Sequence, residues 1–353
     1  MLFRSHKAPQ ILRSTHFRHI NIRPFNKNTN ILDCRINTST SRSLIRVNNK
    51  WAGMPWTGVG KVALWPISKS GKVINPTYCD NGGNVTDFIF STCDENVIFV
   101  AGEDGVIKEF SVSEQGVKKL RELPAHPRKI TALYNNPFIK NCVVSVGAEP
   151  SIKFWDMDKG EAFLELRDIP DMVENLSFSA NGERLAVACR DKKLRIFNCR
   201  SGAMEQESDV PQTGAKGYAV VWCGRHDSLF TIGFNKMSQR CYTLFDITPE
   251  GIKEKHTAVI DNESSILYPI YDEDLDVILA IGRGSKSMHC FEMTQEVPYI
   301  HPLNISRFNE VVYGFDVYAK QDCDVKNTEI ARLAILTGEP PSTVALCSVY
   351  VPK

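Results

Sequence analysis

The sequence predicts an all-β fold, a seven-bladed β-propeller closed by an N-terminal strand. Three observations lead there. The stretch 141–157 reads as an alternating apolar strand at 142–146, a tight turn at Gly147-Ala148-Glu149-Pro150 and a second strand ending in Phe154-Trp155-Asp156-Met157. That is a hairpin signal, and its Trp-Asp ending marks a WD-repeat blade. Second, the aromatic ending recurs at positions 65, 110, 155, 197, 245 and 291, with separations of 45, 45, 42, 48 and 46 residues. A period of about 40 to 45 residues is that of four-stranded blades. Third, 353 residues exceed the ~250 to 300 at which a single core stops growing. A propeller escapes that limit because each blade buries its faces only against its neighbours.

Taken in order, residues 1–32 carry Arg4, Lys7, Arg13, Arg18, Arg23 and Lys27 but no Asp or Glu. Residues 1–14 are expected to be a basic arm and 15–353 the propeller. An Arg-rich, acid-poor start also fits a mitochondrial transit peptide, although Pro9 and Pro24 interrupt any long amphipathic helix. The first blade occupies 41–80, with strands at 44–48 and 61–67 and an irregular segment at 51–56. Gly58-Val59-Gly60-Lys61 lacks the spacing of a phosphate-binding loop and precedes a strand, so it reads as surface loop. Blade two runs through 85–90 and 97–101, turns at Gly102-Glu103-Asp104-Gly105 and descends to Phe110.

Blade three opens at Ala125-His126. WD units join a His, a second-strand Ser or Thr, a third-strand Trp and a turn Asp in one buried hydrogen-bonded set. Here His126, Ser145 and Trp155 hold three of those places and Glu149 stands for the Asp. Asp104 and Asp191 fill the turn position in blades two and four. Blade four has strands at 173–178, 184–190 and 193–198, and its turn Arg190-Asp191-Lys192-Lys193-Leu194-Arg195 is the densest basic cluster in the body of the chain. It reads either as a solvated turn or as a patch for an acidic partner. Blade five spans 215–247 and blade six 264–293. The last blade needs 311–319, 331–336 and 344–351, with its fourth strand supplied by 17–23, which removes an open edge.

Composition excludes more than it selects. With 42 basic and 41 acidic side chains the net charge is +1, so no global field points to nucleic acid or a membrane surface. No apolar run approaches the ~20 residues of a spanning helix. The 11 cysteines form an odd set without a C-x-x-C pair, as expected of small buried hydrophobes in a reducing compartment. No G-x-S-x-G, H-E-x-x-H or Asp-rich metal loop is present, and the eight histidines are scattered, so no catalytic residue, metal or cofactor is expected.

Several strings resemble coronins, the actin-associated WD-repeat proteins. Phe17-Arg18-His19 is similar to the start of their core, and Arg190-Asp191-Lys192-Lys193-Leu194-Arg195-Ile196 resembles their blade-four string. The string from Phe230 through Gly233-Phe234-Asn235-Lys236 to Ser238-Gln239-Arg240 resembles their T-x-G-F motif. Asn327-Thr328-Glu329-Ile330-Ala331-Arg332, with Val351-Pro352-Lys353, resembles the close of their core. Val85-Thr86-Asp87-Phe88 looks closer to the tandem-propeller (type III) members. The resemblance implies binding to actin filaments, with the actin-nucleating complex or traffic machinery as further partners, in the cytoplasm on the cytoskeleton or on Golgi and vesicle membranes. It also assigns a filament contact to Arg35, in the string Ile31-Leu32-Asp33-Cys34-Arg35, with Arg190, Lys192 and Lys193 as the second candidate face. The alternative reading is an interaction scaffold without actin affinity, such as an adaptor in vesicle traffic or for a ubiquitin ligase.

Overall fold

A computed structural model describes residues 15–39 and 41–351; the expected basic arm at 1–14 lies outside them. The chain is a seven-bladed propeller. Blade two comprises Val85–Phe90, Val97–Gly102, Val106–Ser113 and Gly116–Pro124, ordered from the axis outward. Blade three follows with Ile130–Asn135, Cys142–Gly147, Ile152–Asp156 and Glu161–Leu166. Blade four is Val173–Phe178, Arg184–Cys189, Lys193–Asn198 and Met204–Asp209, and blade five Ala219–Cys223, Ser228–Phe234, Arg240–Thr248 and Gly251–Asp261.

Packing follows from the alternation of side chains. Second strands are sandwiched on both faces, so Cys142–Gly147 and Ser228–Phe234 are buried throughout, whereas the outer strand Met204–Asp209 (MEQESD) meets water. Between blades three and four, Val144, Ile152 and Phe154 meet Leu176, Leu185 and Val187 in one cluster. Phe230, Tyr242 and Phe291 join blades five and six.

Blade one corrects the sequence reading. Residues 51–56 are not irregular: Trp51–Pro55 is the second strand, buried along its length, between Arg46–Val47 and Lys61–Pro66, with Thr77–Asp80 outside. Gly53 and Pro55 hid it by propensity. A Cβ on Gly53 would meet Phe88 at 3.1 Å and Phe90 at 3.3 Å, so glycine is the residue that lets the next blade approach.

Closure also differs in detail from the expected single strand at 17–23. Blade six contains Leu267–Asp272, Val277–Gly282 and Ser285–Met293, and its outer strand continues without a break into blade seven as Ile300–Val317. Blade seven adds Glu329–Thr337 and Ser342–Tyr350. Its outer position is shared by two pieces. Asn21–Pro24 pairs with the Cys347 to Tyr350 end of the last strand, and Ile31–Cys34 pairs with its Ser342 and Val344 end. Ahead of these, residues 16–20 lie along blade six. The Glu292 carboxylate, fully buried, accepts from the backbone N–H groups of His16 (2.7 Å) and Phe17 (3.0 Å). Asn304 exchanges hydrogen bonds with Ile20 N–H and C=O, and the Ile20 side chain is fully buried among Val277, Val312 and Val349.

Candidate functional site: the face of the blade turns

Four antiparallel strands per blade place the second-to-third-strand turns and the inter-blade connections on the same face of the ring. Arg35, in the connection from blade seven to blade one, and the 190–193 turn of blade four therefore share a face, on opposite sides of the channel. The turns and connections are tied together: Ala125 and His126 N–H both donate to Gly105 O at 2.9 Å.

Arg35 follows the outer piece Ile31–Cys34. Its carbonyl accepts from Thr57 N–H at 2.9 Å, which anchors the backbone while the side chain stays exposed. The neighbouring Asp33 pairs with Lys72 at 3.3 Å instead. Among the described residues no carboxylate stands within ion-pairing distance of Arg35. Cys34, beside it, is fully buried.

The blade-four turn is arranged otherwise. Arg195 is buried, with Nη2 at 2.5 Å from Asp191 and Nε at 2.7 Å from Glu207. Burial alone would raise the Asp191 carboxyl, but the hydrogen bonds from Arg195 hold it below its ordinary value. Lys193 reaches Glu207 at 2.5 Å, and that bond raises the lysine and lowers the carboxyl. Lys192 donates to Lys216 O at 2.7 Å. Arg190, at 59% exposure, has Asp171 at 4.0 Å. The cluster that looks basic along the chain is largely neutralised in space.

The structural residues sit between these faces. His126 Nε2 is 2.7 Å from Ser145 Oγ, Trp155 Nε1 donates to the same oxygen at 2.9 Å, and His126 Nδ1 is 2.6 Å from Glu149 Oε1. A carboxylate can only accept, so the proton belongs on Nδ1; Nε2 then accepts from Ser145, leaving Ser145 to accept from Trp155. Burial pushes the imidazole below its ordinary value of 6.5, outweighing Glu149. In blade two, Asp104 accepts from Val106 N–H at 3.1 Å and pairs with the buried Lys108 at 2.6 Å. In blade five, the arginine ending the T-x-G-F-like string, Arg240, is buried and pairs with Asp261 and Glu263.

Sequence reasoning missed the lining of the channel. Arg42, Arg46, Tyr134, Asn175, Tyr268, Arg283 and Asp316 surround a cavity of about 250 Å³. Arg46 Nη1 is 3.2 Å from Asp316, whose other oxygen accepts from Val47 N–H at 2.7 Å. The only signal in the sequence was two arginines four apart beside the short inner strand of blade one.

Comparisons with known proteins agree with this architecture. A family model described as "Domain of unknown function (DUF1899)" matches residues 10–72, and one described as "WD domain, G-beta repeat" matches 169–198. The Coronin-like protein of Saccharomyces cerevisiae is 27% identical over 345 residues, covering 92% of this chain and 52% of that protein. Coronin-2A of Bos taurus is 26% identical over 97% of this chain and 67% of its own. Human Coronin-7 is 28% identical over 77% of this chain and 30% of its own. The chain thus spans about half the length of its yeast relative and under a third of Coronin-7. The crystal structure of the WD40 domain from Toxoplasma gondii coronin superposes with a TM-score of 0.84, covering 96% of this chain and 88% of that one at 22% identity. The propeller, its N-terminal closure and these relatives together make the chain similar to coronins over nearly its whole length.

Proposed function

We propose that this propeller is a binding module, not an enzyme, that attaches to actin filaments and links them to cytoskeletal remodelling or membrane traffic. The observation that carries the reading is Arg35: an exposed guanidinium with no carboxylate partner among the described residues, on a connection pinned at both ends by strand pairing, at the place where the family resemblance puts a filament contact. A free guanidinium can make bidentate, charge-assisted bonds to surface carboxylates of a filament. Arg190, Lys192 and Lys193 form the second contact, weaker because Glu207, Asp171 and a carbonyl already engage them. Co-sedimentation with actin filaments at low and raised salt tests the proposal. Salt-sensitive pelleting supports it, and Arg35→Asp should reduce that pelleting sharply through like-charge repulsion.

A scaffold without actin affinity is favoured by one observation. On the opposite face, Phe138 and Ile139 are exposed at 48% and 45% in the first turn of blade three. Adjacent exposed apolar residues suit a protein partner. Absence of pelleting by the parent protein at any salt concentration would favour this reading.

A further inference from the structure

We propose that the central channel is a binding site for a small oxyanion of the phosphate class, held by the guanidiniums of Arg42, Arg46 and Arg283 and by the Tyr134 hydroxyl. The inference is independent of filament binding and rests on an imbalance of charge and hydrogen bonds within one cavity. The space measures about 250 Å³ and brings together inner-strand residues of blades one, three, four, six and seven with Arg42 and, from the blade-six turn, Arg283. That is below the ~300 to 1,000 Å³ of pockets for drug-sized ligands and suits a smaller ion.

Three guanidiniums converge there. Arg42 has no carboxylate within ion-pairing distance among the described residues; its Cζ lies over the Tyr134 ring, 5.2 Å from the centroid. The guanidinium also acts on the Tyr134 hydroxyl, whose oxygen is buried and makes no well-aligned hydrogen bond among the described residues. Among the described residues Arg283, in the blade-six turn, meets only backbone carbonyls, Thr38 O at 3.1 Å and Arg42 O at 3.5 Å. Arg46 uses Nη1 on Asp316, while its Nε is buried and unpartnered.

The acids nearby are already engaged. Asp316 accepts from Arg46 and from Val47 N–H. Asp87, which acts electrostatically on both Arg42 and Arg46, accepts from Phe88 N–H at 3.0 Å and Leu133 N–H at 2.9 Å. Three cations thus face two carboxylates, and the buried Arg46 Nε lacks a partner among the described residues. Like charges held close together and unsatisfied buried donors are both unfavourable. A compact anion with several acceptor oxygens would relieve both. Arginine is suited to it, since its planar donors match a phosphate in bidentate fashion.

The test uses the full chain with inorganic phosphate and pyrophosphate, in thermal melting and titration calorimetry, against sodium chloride at matched ionic strength. We expect saturable binding of pyrophosphate and a rise in melting temperature that chloride does not reproduce. Arg42→Gln should weaken binding at least tenfold while the ligand-free melting temperature stays close to that of the parent. Because Arg42 is an inner residue, Arg283→Gln, on a turn, provides the second arm and should weaken binding in the same direction. No saturable response in the parent protein overturns the proposal, as does a response that both variants retain, which would place the anion on the blade-four turn. Vesicles containing phosphatidic acid separate the source: vesicle binding without any response to soluble pyrophosphate would put the anion on a membrane and also overturn it.

Discussion

Replacing Ser145 by alanine removes one oxygen from the interior of blade three and tests whether the His126–Trp155 set holds the blade. Ser145 is fully buried and serves two partners, Trp155 Nε1 at 2.9 Å and His126 Nε2 at 2.7 Å. In Ser145→Ala the indole N–H loses its acceptor and the imidazole Nε2 its donor, both at places water does not reach. An unsatisfied buried group costs about 1 to 3 kcal/mol, so the loss should be roughly 2 to 6 kcal/mol in sum. A chain of this size shifts by about 2 °C per kcal/mol, so the melting midpoint should fall by several degrees. The companion variant is Trp155→Phe, which removes the indole donor and keeps most of the ring. If the two side chains act through one oxygen, the double variant costs less than the sum of the singles, by about 0.5 to 3 kcal/mol of coupling. Chemical denaturation followed by circular dichroism gives all four values. A Ser145→Ala protein within half a kcal/mol of the parent, or strict additivity in the cycle, would refute the assignment.

Trp155→Ala should destabilise more, by about 3 to 5 kcal/mol, and an unchanged melting midpoint would place the ring outside the core. Arg35→Asp should melt within about half a kcal/mol of the parent while losing filament pelleting; retained pelleting, with loss in a charge-reversed 190–193 turn, would move the contact to blade four. Removal of residues 1–24 deletes Ile20, the first closing piece and the donors to Glu292, so the product should associate on size-exclusion chromatography; a folded, monodisperse product would disprove the role of this seam. Burial holds His126 and His289 below their ordinary 6.5, so both stay neutral in the fold while the unfolded chain takes up protons below that pH. Stability should therefore be intact above pH 6.5 and decline as pH falls toward the folded values. Asp191 and Asp261, held below 3.8 by Arg195 and Arg240 against the opposing effect of burial, add their loss only at lower pH, and a melting midpoint flat between pH 7 and 5 would contradict the histidine assignment.

The six aromatic anchors made the blades legible because a third strand must put the same kind of side chain into the same inter-blade space each time round. Trp65, Phe110, Trp155, Phe197, Phe245 and Phe291 all fall in third strands. What the period could not show is pairing between segments far apart in the chain. The partner of Asn21 is Tyr350, and nothing local in either stretch names the other. Likewise Ile300–Val317 contains Pro302 and Gly314, residues that usually interrupt strands, yet it runs through two blades. Pro302 lies on the outer edge of blade six, and Gly314 lets Leu44 approach to 3.1 Å of where a Cβ would stand.

The same limitation bears on the candidate contact surface. Counting charges along 190–195 gives four cations and one anion, but strand register supplies the others from the next strand. Arg195 stands directly opposite Glu207, and Lys193 opposite Asp209 with Glu207 within reach. A basic strand inside a ladder is thus read against its cross-strand neighbours, and here they cancel most of the charge. Arg35 lies one residue beyond the end of its strand, where no neighbour is imposed by pairing. Its carbonyl is tied to Thr57 while its guanidinium is left to solvent. A charge that the fold does not use remains available to a partner, and on this face that distinguishes Arg35 from the more conspicuous cluster across the ring.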